Sequence, residues 1–354
     1  MKIFVGLSGG VDSAVSAYLL KKAGHDVTGV FLKVWEPDFL PCTGAQDRLD
    51  AMRVAGHLQI PFKTYDVEEE YKESVVEYLL SEYKEGRTPN PDVMCNRAIK
   101  FGIFWERAKK DGAEAIATGH YARNEKHGAQ VSQGTNKTQK TEHKLLRGVD
   151  ETKDQSYFLW TLTQDDLSHT LFPVGGVQKK EVRSIASSVG LPNATKKDSQ
   201  GICFLGHVDM AEFLKRYIPV EEGIIRDIEG NAVGKHEGVA FYTLGQHVST
   251  STPHRLYVIK KNKETNELVV SESETVSDTK QVYVLEKVNW VSEAPRESGV
   301  YQAQIRYRGA KYPVRVTQTE SQWSIVFEES VLIAKGQSVV LYENERCLGG
   351  GIVQ

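Results

Sequence analysis

Eight residues near the N-terminus, Gly6-Leu7-Ser8-Gly9-Gly10-Val11-Asp12-Ser13, constrain the fold more than any others. Ile3 to Leu7 is an apolar run of the kind that forms a buried strand. Val11, Ala14, Val15, Tyr18 and Leu19 then recur at i, i+3, i+4, i+7 and i+8, one face of a helix. The paired glycines between them let the backbone turn tightly and approach a ligand with no Cβ in the way. The N–H groups and positive dipole end of the following helix face such a loop and make it an anion site. Ser8 and Ser13 supply hydroxyls, and Asp12 is placed to hold Mg²⁺ against a pyrophosphate. The lysine of GxxxxGK[ST] is missing, which excludes a Walker loop. A plain strand–helix turn capped by Asp and Ser would use similar residues, but position at the first βα junction favours phosphate.

The same rhythm continues. His25 to Trp35 and Pro61 to Val67 read as strands, with a helix over Gln46 to Leu58 between them. Val75, Val76, Leu79, Leu80 and Tyr83 mark an amphipathic helix, with Glu68, Glu69, Glu70, Glu73 and Glu77 on a solvated face. Ile99 to Lys110 is helical and Ala115 to Thr118 strand-like, which predicts an α/β domain with a mostly parallel sheet. Residues 124–142 are polar and read as a surface excursion. Val182, Ile185, Ala186 and Val189 resume the helical period before Gly190. Beyond Asp198 short alternating segments dominate, which predicts a small barrel or sandwich at the C-terminus. Boundaries near 200 and 278 divide the 354 residues into a catalytic domain (1–200), a small central domain (201–278) and a C-terminal domain (279–354). No apolar run approaches the roughly 20 residues of a membrane span. A signal or transit peptide is not expected, nor a membrane partner, so the expected location is the cytoplasm.

The cysteines carry the second message. Cys42, Cys95, Cys203 and Cys347 form no CxxC pair, against both a disulfide scaffold and a zinc knuckle. In a reducing cytosol a disulfide is more often catalytic than structural. Cys95 stands in Gly86-Arg87-Thr88-Pro89-Asn90-Pro91-Asp92-Val93-Met94-Cys95-Asn96, where two prolines stiffen the chain around Asn90. Asn96 reads as the cap of the next helix, which would put Cys95 where the helix dipole favours thiolate. Asp92 lies three residues earlier, in reach for proton exchange. Cys203 stands in Asp198-Ser199-Gln200-Gly201-Ile202-Cys203-Phe204, at the domain boundary. A lone cysteine is more often a small buried hydrophobe, the reading given to Cys347 and Cys42. Spacing alone does not say whether Cys95 and Cys203 meet.

The loop SGGVDS (8–13) resembles that of the PP-loop ATP pyrophosphatases, which adenylate an oxygen. GRTPNPDVMCN (86–96), IKFG (99–102), ATGHYAR (117–123), KDQSYFL (153–159), DSQGICF (198–204), YTLGQ (242–246), QIRYR (304–308), GQSVVLY (336–342) and CLGGGI (347–352) extend the likeness nearly end to end. In that order they resemble the tRNA-specific 2-thiouridylases of bacteria and organelles. The resemblance implies a PP-loop α/β domain of the adenine nucleotide alpha hydrolase type, a small central domain and a C-terminal β-barrel. It implies ATP bound at Gly6, Leu7, Ser8, Gly9, Gly10, Val11, Asp12 and Ser13, with Leu32 and Gly119 beside it. It implies Cys203 as persulfide carrier, Cys95 as its disulfide partner and Asp92 as general acid and base. Asn90, Pro91, Asp92, His120, Lys153, Asp154, Gln155, Arg306, Tyr307 and Gln337 match positions that contact tRNA. The implied partners are tRNA acceptors of the Lys, Glu and Gln type with a wobble uridine. A cysteine desulfurase or relay protein is implied as persulfide donor.

The net charge of −3 carries no global sign of an RNA partner. A local strip does: Arg306, Arg308, Lys311 and Arg315 interleave with Tyr301, Tyr307 and Tyr312, with no acid over 301–316. A solvated barrel face would read the same way. After YTLGQ the family continues with a basic run of the RKGL type; here His247-Val248-Ser249-Thr250-Ser251-Thr252-Pro253-His254 has no lysine or arginine before Arg255. Three other readings stay open. They are a PP-loop ligase or amidotransferase partner, a tRNA binder without turnover, and sulfur transfer through an iron–sulfur cluster on Asp92, Cys95 and Cys203.

Overall fold

The computed structural model describes residues 1–39, 43–129, 140–198, 201, 203–204, 206, 208–250, 253–273, 281–297, 299–319 and 322–354. Cys42 lies outside them, as do the centre of the polar 124–142 stretch and Ser199, Gln200 and Ile202 of the Cys203 segment.

The chain opens with β1 (Lys2–Gly6), α1 (Val11–Lys22), β2 (Asp26–Lys33), α2 (Gly44–His57) and β3 (Phe62–Asp66). Gly24 adopts φ +84°, the left-handed conformation that ends α1. A long helical stretch follows as α3 (Glu68–Tyr71), a π-helical turn (Lys72–Glu77) and α4 (Tyr78–Lys84). A second runs from α5 (Pro91–Cys95) through a π-helical segment (Asn96–Ile103) into α6 (Phe104–Lys110). β4 (Ala115–Ala117) then pairs parallel with β1. The chain leaves this sheet for the hairpin β5 (Ala122–Ala129) and β6 (Lys140–Arg147). The flanks of the predicted surface excursion are therefore strand, because each polar residue finds a ladder partner that alternating hydrophobicity would not announce. The chain returns through α7 (Gln164–Ser168) and β7 (Thr170–Leu171) to α8 (Lys179–Ser188). The sheet order β3-β2-β1-β4-β7 is parallel throughout, as the βαβ rhythm predicts.

After α9 (Met210–Lys215) come β8 (Gly223–Arg226), β9 (Ala232–His236), β10 (His247–Val248), β11 (Leu256–Asn262) and β12 (Glu267–Ser271). They form a small sheet of order β10-β11-β12-β8-β9 around its own core of Ile225, Val258, Leu268 and Val270. The last strands are β13 (Gln281–Trp290), β14 (Val300–Gln304), β15 (Lys311–Thr319), β16 (Gln322–Phe327), β17 (Ser338–Glu343) and β18 (Arg346–Val353). Their order β13-β16-β15-β14-β17-β18 closes on itself through β13–β18 pairing, a barrel with no free edge along that seam. The β5–β6 hairpin docks on this barrel, Leu146 opposite Arg346.

Candidate active site

Gly10 is the N-cap of α1 and offers no side-chain hydrogen bond, so the first-turn N–H groups of a 12-residue helix have no side-chain cap. The loop below is held open by its own hydroxyls. Ser13 Oγ donates to the Gly10 carbonyl at 3.1 Å and accepts from the Ser8 N–H at 3.2 Å. Asn193 fixes the far side by donating to the Gly9 carbonyl at 2.9 Å. Gly9 lies at φ +76°, and a Cβ there would stand 2.5 Å from the Asp47 carbonyl oxygen. Gly119 presses on the loop from β4's end, where a Cβ would meet the Ser13 nitrogen at 2.7 Å. A cradle this tightly closed around bare backbone suits phosphate. Asp12 accepts from Tyr121 at 2.7 Å and from Lys179 at 2.6 and 2.8 Å.

A cleft of about 1380 Å³ runs from this loop past Leu32 and Gly119 to Asp92, Lys100, His120 and Cys203, and opens beside Lys153, Gln155, Tyr307 and Arg308. At its inner end the Cys95 thiol donates to Cys203 Sγ at 3.3 Å, so the structure brings together two sulfurs 108 residues apart. Asp92 accepts from the Cys203 N–H at 2.7 Å, and Tyr71 donates to the Cys203 carbonyl at 2.9 Å.

The local helix differs from the sequence reading. Asn90, not Asn96, is the cap: its side chain accepts from the Val93 N–H, with Pro91 at the first helical position. Cys95 therefore lies a full turn inside the helix and is completely buried. Burial, with Cys203 against it, pushes its thiol well above the ordinary value, correcting the expectation of a dipole-stabilised thiolate. Cys203 is the acidic one of the pair. The hydrogen bond from Cys95 outweighs burial, and the Lys100 ammonium adds to it. Burial raises the Asp92 carboxyl above its usual range against the Cys203 N–H and Lys100, which lower it. Burial and then Lys100 push His120 well below the usual imidazole value, so the ring is neutral at pH 7.

The remaining expected contacts scatter. Lys153 lines the cleft but pairs with Asp198 at 2.7 Å. Gln155 accepts from the Tyr121 N–H at 3.0 Å. Asp154 is interior: it pairs with Arg147 at 3.1 Å and accepts from the Gly148 and Ser156 N–H groups, so it holds a turn and does not present a face to RNA. Asn90, Pro91, Arg306 and Gln337 stand outside the cleft lining. Arg306 is exposed and donates to the Leu244 carbonyl, while the Gln337 side-chain oxygen is buried with no hydrogen-bond partner among the described residues. Of the aromatic–basic strip, Tyr301 and Tyr312 pack in the barrel core, and Tyr307 faces the cleft, 4.6 Å from the Phe158 ring with Arg308 over it. In the departure after YTLGQ, His254 pairs with Glu272 and Arg255 lies over Tyr257; Ser251 and Thr252 are outside the described residues.

Sequence reasoning passed over Lys100, Tyr121 and Lys179, although the first two sit inside motifs it quoted. Among the described residues no group of three His, Cys, Asp or Glu is arranged to hold a metal ion. No helix among them is long and apolar enough to cross a membrane.

A parallel sheet with a bare helix start at its first strand–helix junction defines a nucleotide-binding α/β protein. Residues 1–207 match the family described as tRNA methyl transferase HUP domain. Residues 211–272 match its PRC-barrel domain, and 280–353 the aminomethyltransferase beta-barrel domain. The chain is 43% identical to the tRNA-specific 2-thiouridylase MnmA of Nitrosomonas eutropha, over 99% of this chain and 98% of that protein. It is 44% identical to the protein of that name from Alkaliphilus oremlandii, over 99% and 96%. With the Idiomarina loihiensis protein the identity is 42%, over 100% and 96%. The chain belongs to the tRNA-specific 2-thiouridylase family.

Proposed function

We propose that this protein is a tRNA-uridine 2-sulfurtransferase: it adenylates the 2-carbonyl oxygen of a wobble uridine with ATP, then replaces that oxygen with sulfur carried on Cys203. The observation that carries the reading is the contact between Cys95 and Cys203, 3.3 Å apart at the end of a cleft that begins on the glycine loop.

A uridine carbonyl is a poor electrophile, and adenylation gives it a good leaving group. The bare start of α1 and the Gly9–Gly10 turn hold the triphosphate, with Leu32 and Gly119 along the nucleotide. Mg²⁺ enters with ATP. Asp12 gives both oxygens to Lys179, so a bound Mg²⁺ would draw its remaining ligands from phosphate and water and would serve to neutralise the phosphates. The base reaches the inner cleft flipped out of its stack, past Phe158 and Tyr307, whose rings suit it as stacking surfaces. Lys153, Gln155 and His120 on the cleft wall meet the nucleotides around the base, and Asn90, Pro91, Arg306 and Gln337, outside that lining, are assigned to the tRNA by the family likeness alone.

A donor protein of the cysteine desulfurase or relay class leaves a persulfide on Cys203. Its terminal sulfur attacks C2, AMP departs with the bonding electrons, and a disulfide joins Cys203 to the base. Cys95 gives its proton to Asp92 and attacks Cys203 Sγ. The S–S bond to the base breaks, 2-thiouridine leaves, and the cysteines are oxidised to a disulfide that a cellular thiol must reduce. The high pKa of Cys95 keeps it protonated until that last step. A ligase or amidotransferase role would leave the paired thiols idle.

The test is nucleoside analysis of a tRNA transcript incubated with protein, ATP, Mg²⁺ and a persulfide donor. The expected product is 2-thiouridine, lost in Cys203→Ser. ATP cleavage to AMP without thiouridine would sink the sulfur reading. Visible absorption in an anaerobic preparation, lost in Cys95→Ala, would move sulfur delivery to an iron–sulfur cluster.

A further inference from the structure

The π-helical segment Asn96–Ile103 interrupts what would otherwise be one α-helix. Hydrogen bonds of the i→i+5 kind widen the turn and bring residues five apart onto roughly the same face. In an α-helix they would diverge by about 140°. The π turn therefore carries Lys100 toward the side of the helix that bears Cys95, and Lys100 lines the cleft together with Cys203 and Asp92. Its ammonium stands 5.6 Å from the Phe204 ring centroid. That ring belongs to the residue after Cys203, held at φ +66° and packed edge-on against Tyr71.

A half-buried ammonium loses hydration and requires a counter-charge. Here burial works against the charged form, yet it is favoured, first by Cys203, then by Cys95, and by Asp92 last. Among the described residues the groups facing Cys203 are Asp92 and Cys95 from α5, Lys100 from the π segment and Tyr71 from α3. Lys100 is the one cation among them.

Resting on the sulfurtransferase reading, we propose that Lys100 is a catalytic residue: its ammonium is the counter-ion that keeps the sulfur on Cys203 anionic, as thiolate when it accepts sulfur and as persulfide when it attacks the base. No electrons move through Lys100. It favours the attacking anion on Cys203, while complete burial keeps the adjacent Cys95 protonated against the pull of the same ammonium, so charge and burial together separate the carrier from the resolving cysteine.

The test maps iodoacetamide alkylation by mass spectrometry across pH in the full-length protein, with buried Cys347 as the unreactive reference. Wild-type Cys203 should titrate below the free thiol value of about 8.5. Lys100→Met should raise the midpoint by about one unit and slow alkylation at pH 7 about tenfold, a one-unit shift being one decade. Retention of the low midpoint in Lys100→Arg would support a charge role. A Lys100→Met midpoint equal to wild type, with a raised KM for ATP instead, would overturn the proposal and assign the ammonium to the nucleotide. Should Lys100→Met fail to fold, a wild-type Cys203 midpoint at or above the free value overturns it alone. Thiouridine formation by wild type, run in parallel, tests the underlying reading separately.

Discussion

At the scale of single residues, the cleft is organised by charges that lie far apart in sequence. Lys179 bridges Asp12 at 2.6 Å and Asp198 at 2.8 Å, and Asp198 also receives Lys153 and Arg183. The phosphate loop is thereby tied to the segment that carries Cys203. Burial works against the Asp198 charge, but Lys153 and Lys179 hold its carboxyl well below the usual range. A carboxyl whose folded pKa lies below its unfolded value adds stability that is present above the unfolded value of about 4. That stability is lost as pH falls from there toward the folded value. Asp198→Asn should therefore lower the urea midpoint at pH 7, and the gap to wild type should close progressively below about pH 4. A gap of equal size at pH 7 and pH 3 would remove the ion network as its cause. The sequence marked Asp12, Asp92, Cys95 and Cys203 because they stand in compact motifs. It hid Lys179 because the partner it serves is 167 residues away. No spacing rule links such a pair, and an isolated lysine on an amphipathic helix reads as solvated.

At the scale of elements, most of the parallel sheet was legible, since β1 and β2 are rich in buried apolar residues and β3 follows a helical period at Pro61. Two of the elements that were not show why. β18 carries Gly349, Gly350 and Gly351, which have no β propensity to read. They are there because neighbouring backbone comes close: a Cβ at Gly350 would stand 2.3 Å from the Val339 carbonyl oxygen. The π segment was illegible for a different reason, because the Ile99–Lys110 pattern was read at 3.6 residues per turn. Its signature is Gly102, where a Cβ would lie 3.0 Å from the carbonyl oxygen of Arg97, five residues earlier. Gly→Ala inside a regular helix normally stabilises by about 1 kcal/mol. Gly102→Ala should instead destabilise, because the crowded atom is backbone and cannot swing aside. Urea unfolding with the mutant midpoint above wild type would show that the helix can relax to α geometry.

At the scale of the whole molecule, the barrel and the nucleotide-binding sheet share one interior. A single hydrophobic cluster contains Phe4, Val30, Cys95 and Trp160, and also Val340, Tyr342, Cys347 and Ile352 from β17 and β18. Polar bonds cross the same boundary: Tyr157 donates to the Ile305 carbonyl at 3.0 Å, Trp160 to Ser338 Oγ at 3.2 Å, and Arg147 packs 3.5 Å over the Tyr342 ring. The thiol of Cys95 sits in that shared core, so the barrel helps fix the sulfur it never touches chemically. The central sheet has a separate cluster and leans on the rest through contacts such as Thr88 with Thr243. The shared cluster predicts that the α/β domain and the barrel unfold as one unit, while the strands of the central sheet, which have their own cluster and join the first through Phe241, open separately. Tyr342→Ala removes a fully buried ring and should cost about 3–5 kcal/mol, the range for large aromatic truncations. Hydrogen exchange should show that loss equally in β1, β4 and β17, and leave β11 and β12 unchanged. Residues 1–207 made alone should lack a cooperative thermal transition, because the part of their core covered by Val340, Tyr342, Cys347 and Ile352 would face water. A sharp transition in that fragment, or a Tyr342→Ala loss confined to the barrel, would mean that the shared cluster joins two independently stable domains.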